Sequence, residues 1–76
     1  MKFKMISFRR GEILDFGEAD DAEEIKKFAA ERKNADAFHA HPRDRRQSFF
    51  LTGTRMSRES IAWQKVSYTA KLRQFA

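Results

Sequence analysis

Residues 21–33, DAEEIKKFAAERK, decide the fold. Ala22, Ile25, Phe28, Ala29 and Arg32 recur at three- and four-residue spacing, which lines one narrow stripe of an α-helix. Asp20 or Asp21 can accept from the first unpaired amides, and Glu23 or Glu24 stands three positions on, as in a capping box. Acids fill the first turn, while Lys26, Lys27, Arg32 and Lys33 come later, the order that suits the helix dipole. Glu23–Lys27 and Lys27–Glu31 stand four apart on the exposed side. Asn34 is placed to end the helix in a left-handed conformation. A single apolar stripe must be buried against another layer, and the flanking sequence supplies strands for one.

On the N-terminal side, residues 2–9, KFKMISFR, read as a strand with Phe3 and Met5 on one face and Ile6 and Phe8 on the other. Arg10-Gly11-Glu12 supplies a turn, and residues 13–17, ILDFG, return antiparallel with Ile13, Leu14 and Phe16 apolar. Apolar residues on both sides predict strands covered on both faces near the middle of a sheet. On the C-terminal side, residues 36–41, DAFHAH, alternate Phe38 with His39 and His41. His41-Pro42-Arg43-Asp44 has proline at the second position of a type I turn. Residues 47–54, QSFFLTGT, then return as a strand centred on Phe49, Phe50 and Leu51.

Residues 57–75 carry two patterns. Ser57 can cap a helix on which Ile61, Tyr68, Leu72 and Phe75 share a face, and this is the preferred reading. Val66, Tyr68, Ala70 and Leu72 also alternate in strict period two, as in a strand. The stretch resembles a helix-turn-helix in its apolar spacing alone. The turn glycine is missing and the spacing is one residue short, so no recognition residues follow from it. The expected architecture is one α+β domain over residues 1–76. Its order is ββαββ followed by a helix or a strand, with helix 21–33 packed on one face of an antiparallel sheet.

A chain of 76 residues buries only about 60–65% of its unfolded surface, so it should present a surface to a partner rather than enclose a deep pocket. The absence of cysteine excludes disulfides, thiolate zinc sites and thiol nucleophiles. No apolar run approaches the roughly 18 residues of a membrane span. The opening MKFKMISFRR has charges around a short apolar patch and no secretory core, so the expected compartment is the cytoplasm.

Charge is polarised along the chain. Residues 1–37 carry eight basic and nine acidic groups, a net of −1, and residues 38–76 carry eight basic and two acidic groups, a net of +6. Nine of the sixteen basic residues are arginine, the better bidentate partner for phosphate and carboxylate. Arg43, Arg45 and Arg46 fall on the predicted hairpin loop, Arg55 and Arg58 follow the next strand, and Lys65, Lys71 and Arg73 lie on the last element. Together they are the expected partner-binding residues. If the loop and the last element share an edge, all of them line one side, as a phosphate backbone requires. Phe49, Phe50, Trp63 and Tyr68 interleave with these cations and suit base stacking where exposed.

Catalytic constellations are sparse. His39-Ala-His41 places two imidazoles on one side of a strand, but Asp36 projects away and only Asp44 offers a third ligand, so no metal is expected. A histidine base beside Arg43, Arg45 and Arg46 would suit a small basic ribonuclease, a remote alternative. There is no phosphate-cradling glycine loop, nucleophile elbow or glycine-flanked RNA-recognition aromatic motif. The expectation is a non-enzymatic module, without cofactor or small-molecule substrate, that engages nucleic acid or a nucleic-acid-handling complex. The contrasting expectation is an inhibitor of the bacteriophage or mobile-element type that docks on a host protein machine, using Trp63, Tyr68 and the arginines.

Overall fold

The structure is a computed structural model that describes residues 1–67. Five strands and one helix follow in the order β1 (Phe3–Arg9), β2 (Glu12–Ala19), α1 (Ala22–Glu31), β3 (Ala37–Pro42), β4 (Phe49–Arg55) and β5 (Ile61–Ser67). The strands form one antiparallel sheet in the order β2-β1-β3-β4-β5, and α1 packs on one face of it.

Helix α1 starts as its sequence dictates. Asp21 is the N-cap and accepts from the Glu24 amide at 2.9 Å, while the Glu24 carboxylate accepts from the Asp20 amide at 3.3 Å. Its end departs from expectation. Arg32, not Asn34, is the C-cap, with φ −112°, and Arg10 is the only non-glycine with positive φ among the described residues. No basic residue lies in the last helical turn. Two cations serve this end: the C-cap Arg32 donates from Nη1 back to the Phe28 carbonyl at 3.0 Å, and Arg55 reaches it from β4. The Arg55 guanidinium donates to the carbonyls of Ala35 (2.8 Å), Arg58 (2.9 Å) and Arg32 (3.2 Å), and reaches that of Ala29 (3.5 Å).

The helix buries Ile25, Phe28 and Ala29 against Phe3, Met5, Ala19, Ala35, Phe38 and Ala40. Gly17 gives Phe28 its seat, since a Cβ there would lie 2.5 Å from the Phe28 ring. Ser7 is fully buried and donates to the Asp15 carboxylate, which also accepts from Arg32 Nε at 2.9 Å. The Ser7 hydrogen bond first, and then Arg32, hold the Asp15 carboxyl below the usual carboxylate range against the opposing effect of partial burial. This chain of groups ties β1 and β2 to the end of α1.

Three sequence expectations change. Residues 61–67 are a strand, not a helix, because β4 offers an edge with which all seven residues pair, from Arg55↔Ile61 to Phe49↔Ser67. Ser57 accordingly lies in the β4–β5 turn, where its amide and that of Met56 donate to the Ser60 carbonyl. Tyr68, Lys71, Leu72, Arg73 and Phe75 lie outside the described residues. Pro42 ends β3 opposite Phe3, so the turn begins later, where the Gln47 amide donates to the Asp44 carbonyl at 3.1 Å. Finally, β2 is an edge strand and not a central one, and Ile13, Leu14 and Phe16 are 52%, 48% and 56% exposed. Among the described residues one helix packs on one face, over β1 and β2, and no element covers the apolar residues of the other.

No helix among the described residues is long and apolar enough to cross a membrane.

Candidate nucleic-acid interface

Strand pairing assigns each side chain to a face. Phe3, Met5, Ser7, Phe38, Gly53 and Trp63 fall on the helix side. Ile6, Phe8, Ile13, Phe16, His39, His41, Phe50, Thr52 and Val66 fall on the opposite side, which no element covers among the described residues.

On that open side the rings form a continuous strip across three strands. Phe8 on β1 lies 4.6 Å from His39 on β3, between ring centroids, and His39 lies 5.5 Å from Phe50 on β4. His41 stacks on Phe50 at 4.9 Å with an interplanar angle of 11°. Ile6, paired across to Phe16, extends the strip to β2, where the Lys4 ammonium sits 5.4 Å from the Phe16 ring centroid. Among the described residues, Lys4 and Glu18 are the only charges that the strand registers place within this face, so its centre there is aromatic and nearly uncharged. Burial among these rings pushes the His39 imidazole down, and it does the same for His41, with further contributions from His39 and Lys4. Among the described residues no group of three His, Cys, Asp or Glu side chains could hold a metal ion.

Cations flank the strip on both sides, at the two ends of the strands it crosses. The β3–β4 loop holds Arg43, Arg45 and Arg46, all exposed. Arg43 reaches Glu18 at 2.7 Å, and Arg46 folds back onto Asp44 at 3.2 Å. That same Arg46 pairing holds the Asp44 carboxyl below its ordinary value. At the opposite strand ends the β1–β2 turn carries Arg10, just after Arg9 closes β1, and the Arg10 amide is fixed by the Asp36 carboxylate at 2.9 Å.

The expected binding arginines and lysines are therefore divided. Arg43, Arg45 and Arg46 stay together at one end. Arg55 and Arg58 lie about 20 Å away, at the far end of the seven-residue β4. Arg55 is half-buried, with its fork donated to four carbonyls, and serves the fold. Arg58 is exposed in the β4–β5 turn. Lys65 lies on the helix side, its ammonium 4.4 Å from the Phe49 ring centroid. Of the aromatics expected to stack, Phe49 and Trp63 pack onto the core, and Phe50 alone among the described ones joins the open face.

Sequence reasoning missed Ile6, Phe8, Ile13 and Phe16 as surface residues. The signal was present: two apolar faces on strands 2–9 and 13–17 against a single amphipathic helix leave one face without a cover. No known family model matches this chain, and no curated protein or solved structure matches it either.

Proposed function

We propose that this chain is a non-enzymatic binding module that takes single-stranded nucleic acid across its open sheet face. One observation carries the reading: an aromatic, nearly uncharged strip lies between two arginine-bearing turns. Bases stack on such rings for about 1–3 kcal/mol each, whatever their sequence. Phosphates meet the guanidiniums along either flank, where each arginine can form paired hydrogen bonds. Bases locked in a duplex cannot lie flat on a sheet, so the strip favours single strands and splayed loops.

The test is fluorescence anisotropy with a labelled single strand of about eight nucleotides, as DNA and as RNA. Phe16→Ala, at a residue already 56% exposed, should weaken binding about 10-fold with little effect on folding. Changing Arg43, Arg45 and Arg46 together to Ala should weaken it at least about 10-fold and flatten the log–log salt slope by about two. Their surface pairs are worth only about 0–1 kcal/mol to folding, so melting should barely move. Absence of binding to either strand rejects the reading, and unchanged affinity in both variants moves it off this face.

A second reading has its own observation. Among the described residues β2 pairs only with β1, so its outer edge exposes backbone groups beside Ile13, Leu14 and Phe16. A host protein could add a strand there, as an inhibitor of the bacteriophage or mobile-element type would require. A stoichiometric protein partner that survives nuclease treatment and is lost on Leu14→Lys would favour it.

A further inference from the structure

On the helix side, α1 lies over β1 and β2, and the β4–β5 end of the sheet extends beyond it. The gap between α1 and β5 is an open groove of about 570 Å³, within the range of small-molecule sites. Its floor is Trp63 and Ile61. The indole crosses β4 at Gly53, where a Cβ would lie 2.7 Å from the Trp63 ring, and it meets Phe38 at 6.2 Å between centroids. Its walls are cationic. Lys26 and Lys33 come from the helix side, and Arg58 and Arg55 from the strand side, against a single acid, Glu59. Arg55 is committed to carbonyls and contributes charge alone. Lys26, Lys33 and Arg58 are exposed and form no ion pair among the described residues.

A ring floor between cationic walls selects a ligand that is both planar and anionic. Inorganic phosphate would leave the indole unused, and an Asp or Glu side chain brings charge without a ring. The chain's own residues after Ser67 include Lys71 and Arg73 and no acidic side chain, so their charge is wrong for this groove. We infer that the groove binds a nucleoside phosphate, with its base against Trp63 and its phosphate held by Lys33, Arg58 and Lys26. The ligand is either a free nucleotide or the phosphorylated end of a strand. The site lies on the opposite side of the sheet from the open aromatic face and does not depend on it.

Trp63 is the only tryptophan in the chain, so its fluorescence reports on this site alone. Titration with adenosine 5′-monophosphate should quench it saturably, and adenosine or inorganic phosphate should bind at least about 10-fold more weakly. A Lys33→Gln, Arg58→Gln double variant should lose at least about 10-fold in affinity while melting like the parent. Phe16→Ala should leave the titration unchanged, which separates this site from the sheet face. A 5′-phosphorylated dinucleotide distinguishes the sources. Tighter binding than the mononucleotide assigns a strand end, and equal or weaker binding assigns a free nucleotide; both support the site. Three results would overturn it: no saturable quenching, inorganic phosphate binding as tightly as the nucleotide, or parental affinity in the double variant.

Discussion

Arg55 donates to carbonyl groups of Ala35, Arg58 and Arg32 from a half-buried guanidinium beside the Phe38 ring, 5.8 Å from its centroid. These acceptors include the C-cap carbonyl of α1 at Arg32, which also accepts from the Ala35 amide at 3.1 Å, and the loop carbonyls of Ala35 and Arg58. Arg55→Ala should therefore destabilise the domain by about 2–3 kcal/mol in urea unfolding. Arg55→Lys should recover only part of this, because one ammonium cannot span the same acceptors as a planar fork. A variant that unfolds like the parent would contradict the capping role. The sequence shows nine arginines and cannot distinguish this one from those in the loop, because its acceptors lie more than twenty positions away in the case of Arg32 and Ala29. Local charge patterning reads i to i+4 partners: it finds Arg32, which donates to the Phe28 carbonyl from the C-cap, and not Arg55.

At the scale of elements, α1 is held chiefly by Phe28, which is 6% exposed and lies 6.3 Å from Phe38 between ring centroids. Phe28→Ala should cost about 3–5 kcal/mol, and a domain of this size has a margin of only about 4–11 kcal/mol. Thermal melting should show the loss directly, and a melting temperature equal to the parent's would rule out this packing. Strand β3 carries a second prediction. Its two histidines are pushed below their ordinary value of about 6.5 by burial. The unfolded chain thus binds more protons as pH falls, so their contribution to stability is complete above about pH 6.5 and declines as pH drops toward the folded-state values. Binding of a phosphate strand shifts the same protonation the other way, because an anion favours the charged imidazoles. From pH 7.5 to 5.5, melting temperature should fall while oligonucleotide affinity rises, and His39→Gln with His41→Gln should flatten both trends. Affinity independent of pH would contradict the placement of the strand over these rings. Helix α1 and the strands of the first two hairpins were legible because the helix is announced by its N-cap and period and the strands by their apolar runs. Strand β5 was not, because a short amphipathic stretch satisfies both periods, and the edge of β4 that resolves the choice is a non-local partner.

Across the whole molecule, the layer count determines what surface is left for function. One ten-residue helix packs over β1 and β2 on one side of a five-stranded sheet, and among the described residues nothing covers the aromatic strip on the other. The positive balance of the C-terminal half was plain from counting. Its division between the two ends of β4 was not, because a linear charge map carries no strand direction. The chain's four isoleucines sample both sides: Ile6 and Ile13 on the open face, Ile25 and Ile61 on the helix side. Labelling their δ1 methyl groups and titrating with a single-stranded oligonucleotide lacking a terminal phosphate, followed by NMR, therefore tests the central claim directly. The account predicts progressive, saturable shifts of Ile6 and Ile13, with Ile25 and Ile61 unmoved. Shifts confined to Ile25 and Ile61, or no saturable shift of any of them, would contradict it.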